Sequence, residues 1–217
     1  MKQLFQIGFD LALASLSPII SWFTLSLILD SRLINVFSIT YPLQFAWLML
    51  RDIFGGGANL VSMKVRNSKI VDAGIFTGLI FSGVIFGLVA LNIDKFIIFM
   101  NADPSVYRDF CLYITLQLWV QLVFCIILDK LYYQDKNKTA NKYSLTFNLL
   151  NFIILIGASF LTKNSKIIIS ATLLTIFTFT LFVFIREVRR VSFRFNILRS
   201  IKINSMDFAE NLILFFV

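Results

Sequence analysis

Long apolar stretches separated by short polar clusters run the length of the chain, and the stretches match the roughly 17–25 residues that a bilayer-spanning helix needs. The first lies between about Ile7 and Leu29 and contains Pro18; the early Lys2 and the short polar start form no clear cleavage region, so it reads as a retained helix. A second extends from about Val36 to Phe54 and continues through Gly55-Gly56-Gly57 to Ser62. The third is Val71 to Asn92, with Ser68 as its expected N-cap and Asp72 near the positive helix end. Asp103-Pro104 opens the fourth, a capping aspartate before a proline at the first helical position, and that helix is expected to reach about Ile127. Asn141 or Ser144 begins the fifth, which ends near Phe160. A polar turn through Lys163, Asn164 and Ser165 leads to the sixth, about Ile167 to Ile185, with Ser165 as its cap. Barrel strands would alternate polar and apolar at every second position, and these stretches do not.

Composition agrees with lipid as the solvent. Hydrophobic residues make up 58% of the 217 positions and mean hydropathy is +0.82, against roughly 45–50% apolar residues in soluble domains. Charged residues are only 15%, so too little polar surface exists to enclose one soluble core. The net charge of +8 needs no nucleic-acid partner, because the basic residues fall in alternate loops. Lys64, Arg66 and Lys69 lie in the second loop, Lys130, Lys136, Lys138 and Lys142 in the fourth, and Arg186, Arg189, Arg190, Arg194, Arg199 and Lys202 after the sixth span. Positive residues favour the cytoplasmic side, so both termini are expected there and the number of spans is even.

The expected fold is an all-α integral membrane protein, a six-transmembrane-helix bundle over residues 1–185. Residues 186–217 then form a cytoplasmic basic linker that ends in an interfacial helix or in the start of a seventh span.

Polar groups at membrane depth are where function is sought, since lipid makes them costly. Gln44, Gln117, Gln121, Asn148 and Asn151 interrupt apolar helices, and Gln117 and Gln121 share one helix face. Such a face lines a wet cavity or joins helices by hydrogen bonds. Arg51 and Asp52, inside the second stretch, read either as a structural ion pair or interface anchor, or as part of a substrate or ion pathway. Asp30, at the first short loop, reads as an exposed helix end or as a cation-attracting residue at a pathway mouth; Asp10 reads as an N-terminal charge. Gly74 and Gly78, and Gly83 and Gly87, have the spacing of packing grooves. Pro18 is a candidate kink and Pro42 a candidate kink or helix-terminal feature. Cys111 and Cys125 would lie about 21 Å apart along one helix, which excludes a disulfide between them. The chain has no histidine, and no zinc site, phosphate loop, hydrolytic triad or haem motif is legible, so neither an enzyme nor a cofactor is expected.

Pro42, the run Phe54-Gly55-Gly56-Gly57-Ala58-Asn59-Leu60-Val61-Ser62 and the following Lys64, Arg66 and Asn67 resemble the second helix and turn of multidrug and toxic compound extrusion (MATE) transporters. Tyr132-Tyr133-Gln134, Lys136, Lys138 and the helix bearing Asn148 and Asn151 are similar to the family's fourth-to-fifth-helix junction. The resemblance covers roughly Leu11 to Ile185, one six-helix lobe, and extends to the related polysaccharide and lipid flippases. It implies a V-shaped, two-lobed transporter exporting amphiphilic or cationic small molecules by alternating access, driven by protons or sodium. The second lobe would come from further sequence, a homodimer or another membrane subunit. On this resemblance Asp30, Asp52 and Asn151 are the coupling-ion candidates, although Asp30 stands closer to Pro18 than the family pattern has it. Leu155 occupies the position where some members carry an acid, so the family's coupling site is incomplete here. A membrane scaffold or accessory subunit, binding through its glycine faces, is the expectation outside transport. The expected location is a prokaryotic cytoplasmic membrane.

Overall fold

A computed structural model describes residues 23–65, 67, 69–188 and 196–203. Residues 23–28 are helical. A 3-10 turn, Ser31–Asn35, leads into the short α1, Val36–Ile39, and then α2, Tyr41–Arg51; a π turn, Asp52–Gly56, joins α2 to α3, Gly57–Val65. After these come α4 (Lys69–Leu91), the short α5 (Ile93–Phe99), α6 (Pro104–Tyr133), α7 (Asn137–Leu161), α8 (Ser165–Glu187) and α9 (Ile197–Ile203). No strand occurs among the described residues.

Among the described residues four helices, α4, α6, α7 and α8, are long and apolar enough to cross a membrane. A fifth crossing exists if Ser31–Ile39 and Tyr41–Lys64, bent by 44° at Thr40, act as one span. The described residues are thus all-α and fit an integral membrane protein. Most of the first expected span, with Asp10 and Pro18, lies outside the described residues, as do the Ser68 cap and residues 204–217.

The expected second span is not one helix but three pieces. Pro42 sits in the first turn of α2, where its missing N–H removes no helical bond, so it is a terminal feature and not a kink within a helix. The second interruption is the π turn itself, in which the N–H of Gly57 bonds the carbonyl of Asp52.

Helix α6 outruns its expected end at Ile127, reaching Tyr133 because Asp129 and Lys130 are neutralised by other helices. Asp103 caps it by accepting from the N–H of Ser105 at 2.8 Å, with Pro104 at the first position. Helix α7 likewise starts before Asn141, so Lys138 and Lys142 are helical rather than loop residues. The cap of α8 is Asn164, which accepts from the N–H of Lys166; Ser165 instead donates to Asp109 at 2.7 Å. Asn67 accepts from the N–H of Lys69 at 3.1 Å at the start of α4.

Helix α6 is the centre of the bundle: 67% of its apolar window is buried, against 28–33% for α4, α7 and α8. Helices α4 and α8 pack on it extensively, and α8 also packs on α7. The glycines of α4 divide by what faces them. A Cβ on Gly78 would stand 3.0 Å from the Cβ of Phe54, and one on Gly83 would stand 3.3 Å from the Trp119 indole nitrogen. Gly74 is buried. No described residue stands within 4 Å of where a Cβ on Gly87 would lie.

Candidate functional site

A cavity of about 200 Å³ opens between α1 and α2 on one side and α6 and α7 on the other. Helical spacing puts Tyr113, Gln117 and Gln121 on one face of α6, Gln44, Trp47 and Leu48 on α2, and Asn151 and Leu155 on α7. Phe37, Ile114 and Leu118 complete the wall. Four of the five expected polar residues therefore meet at one site. Asn148 does not line it: its amide donates to the Ser144 carbonyl of its own helix at 3.0 Å.

The wall is partly pre-organised. The Tyr113 hydroxyl donates to Asn151 Oδ1 at 3.0 Å, and the two side chains are 1% and 8% exposed, so lipid or water cannot easily compete for that bond. Gln44 donates to the Thr40 hydroxyl at 3.3 Å. Among the described residues the carboxamides of Gln117 and Gln121 make no hydrogen bond and the buried Trp47 indole N–H has no partner. The site thus offers donors, acceptors and aromatic walls, and no carboxylate among the described residues lines it. Trp47, Tyr113 and Thr40 were not singled out by sequence; aromatic residues are so common in this chain that only their place beside the carboxamides distinguishes them.

One turn along α2 from Trp47, Arg51 forms a two-pronged pair with Asp129 at 3.0 and 2.7 Å, and its guanidinium lies 5.8 Å from the Trp47 ring centroid. The pair was half legible: Arg51 was expected to find a partner, and that partner sits 78 residues away on the extension of α6. Gly55 of the π turn makes room for it, since a Cβ there would stand 3.1 Å from Asp129 Oδ2. Asp52 is a half-buried member of the π turn and does not line the cavity. Gly56 lies in the same turn, and Gly57 receives α9.

A second charged node lies at the same end of the bundle. Lys130, expected as a loop cation, is 6% exposed and pairs with Asp72 of α4, itself 7% exposed, while also donating to the Glu187 carbonyl of α8 at 2.7 Å. Tyr143 of α7 donates to the Glu187 carboxylate at 3.0 Å. Asp72 is therefore an ion-pair residue rather than only a helix-end charge, and all four long helices meet here.

Asp30 is elsewhere. It caps the 3-10 turn and holds Arg32 through both carboxylate oxygens at 2.7–3.2 Å. The bonds from Arg32 hold its carboxyl below the usual carboxylate value. It faces a separate polar recess of about 380 Å³ with Asp103, Ser105, Lys163 and Ser165 at the opposite end of the bundle. Asp30 and Asn151, expected to cooperate, do not line a common site, because the extended backbone at Asp30 turns its carboxylate onto Arg32. Among the described residues no three His, Cys, Asp or Glu side chains gather as metal ligands; a cation held in the cavity would rest on carboxamide and hydroxyl oxygens.

No family model, no curated protein and no solved structure matches this chain, so the resemblance to MATE transporters rests on the residues quoted for it.

Proposed function

We propose that this chain is one lobe of a secondary transporter that exports an amphiphilic or cationic small molecule by alternating access, with a proton or sodium gradient as the driving force. The observation that carries the reading is the cavity walled by Gln44, Gln117, Gln121 and Asn151 in helices that otherwise meet lipid or each other. The carboxamides of Gln117 and Gln121, which bond no other described residue, are costly at that depth unless they receive a polar partner. At about 200 Å³ the cavity is smaller than the roughly 300–1,000 Å³ of complete small-molecule sites, as expected of half a site. A second lobe, a second copy or another membrane subunit would supply the other half. Of the carboxylates, Asp129 is better placed than Asp30 for coupling, since it is carried by the helix bearing Gln117 and Gln121 and pairs with Arg51 at the end of the helix bearing Gln44. A prokaryotic cytoplasmic membrane with the charged node on the cytoplasmic side fits the loop charges.

A second reading, flipping of a lipid-linked polysaccharide, is favoured by the cavity wall itself: carboxamides beside Trp47 and Tyr113, with no carboxylate among the described lining residues, suit hydroxyl-rich ligands. Proteoliposomes separate the two. Gradient-driven flux of a cationic amphiphilic dye, lowered at least about tenfold by Gln117→Leu with Gln121→Leu, supports export; movement of a lipid-linked oligosaccharide without counterflow supports flipping. Flux of neither, with the protein purifying in a stable complex, would replace both by a scaffold role.

A further inference from the structure

The helix that carries Gln44 and Trp47 joins α3 through a turn that is held from outside. Gly57 bonds the carbonyl of Asp52, five residues back, where an α-helix would use Ile53. The Ile53 carbonyl accepts from the hydroxyl of Ser200 in α9. Asn59 donates to the Gly55 carbonyl at 3.0 Å, so two side chains attend the carbonyls of one turn. Ser200 is 0% exposed and sits directly over Gly57, where any Cβ would collide with its hydroxyl. Helix α9 packs on α3 and on the π turn, and its outward side carries exposed Leu198, Arg199 and Lys202.

A π turn contains one residue more than the α turn that could replace it, and it persists where its surroundings favour it. Closing it to α pairing would rotate everything before it by about 100° and shift it by about 1.5 Å relative to α3. Gln44 and Trp47 would then leave the cavity wall, and Arg51 would leave Asp129. We propose that α9 is a clamp on this turn, with Ser200 a positioning residue that fixes which face of α2 meets the cavity; undocking of α9 releases the turn and changes that face. The consequence for transport rests on the function proposed above, whereas the rotation does not.

The test is a cysteine scan of α2 in the full chain in native membranes, with Cys111 and Cys125 replaced by alanine. Single cysteines at positions 43–50 are reacted with a small thiol reagent. In the parent the reactive positions should include 44, 47 and 48. Gly57→Leu, which removes the seat of Ser200, should move the reactive pattern by one position along the helix. Deleting Gly56 in the Gly57→Leu chain should restore the parental pattern, because an α turn then holds the original phase without α9. A pattern unchanged by Gly57→Leu, or a general rise at every position with no change of phase, overturns the clamp. If Gly57→Leu fails to insert, Ser200→Ala takes its place in the same scan: a shift by one position supports the clamp, and an unshifted pattern overturns it. A shifted pattern with unchanged solute flux keeps the clamp and sinks the transport reading of the cavity.

Discussion

Lys130 shows how a single residue changes meaning once its neighbours are known. As a loop cation it would be dispensable; as a buried partner of Asp72 it is not, because its removal strands a carboxylate away from water. Lys130→Met should destabilise the protein by about 3–5 kcal/mol, measured as denaturant unfolding in detergent, and Asp72→Asn with Lys130→Met should recover much of the loss. At the opposite end the carboxylates behave differently. Asp30 and Asp103 both have their carboxyls lowered by hydrogen bonds, from Arg32 and from Ser105 respectively. A group lowered on folding stabilises above its unfolded value and loses that contribution as pH falls through its folded value. Thermal stability in detergent should accordingly fall as pH drops below the ordinary carboxylate value of 3.8, and Asp30→Asn with Asp103→Asn should flatten that part of the profile. A profile that keeps its slope in the double variant would remove both carboxylates from the account.

Among the helices, α4 presents glycines that look alike in sequence and differ in surroundings. Gly78 meets Phe54 and Ile126 closely, so Gly78→Leu should part α4 from the π turn and α6, destabilising by about 1–3 kcal/mol. Gly87→Ala has no neighbour among the described residues to displace and removes a helix-weakening residue, so it should be neutral or stabilising by up to about 1 kcal/mol. Unfolding midpoints of the two variants, measured side by side, give the sign of each. The glycine spacing was legible because it is a property of one helix. Which glycines receive a neighbour depends on where Phe54 and Trp119 are placed by other elements. The shorter bounds expected for α6 and α7 had a similar origin: charges mark helix ends only when nothing else in the fold neutralises them.

Across the bundle, the antiparallel order of α4, α6, α7 and α8 puts Lys69, Asp135 and Glu187 at one end and Asn101 and Lys163 at the other. Single cysteines at Asp135 and Lys163 should react with a membrane-impermeant reagent from opposite faces of the membrane. Labelling of both from the same face would overturn α7 as a crossing. The two ends also differ in construction. One is tied by Arg51–Asp129 and by the Asp72, Lys130, Glu187 and Tyr143 node, while the other carries an open polar recess around Asp30, Asp103 and Lys163.

Helicity, a place in the membrane, the positions of the long apolar helices to within about two turns, and four of the residues that wall the cavity could all be read from the order of residues. Those properties follow from local periodicity and from the energy of placing each side chain in lipid, which a residue carries wherever its helix goes. Folding in three dimensions was needed to establish that Asp129 answers Arg51, that Asp72 answers Lys130, that Asp30 faces away from Asn151, and that Ser200 seats on Gly57. Each of these is a relation between residues distant in the chain, and its energy depends on separation and burial that no single helix can specify.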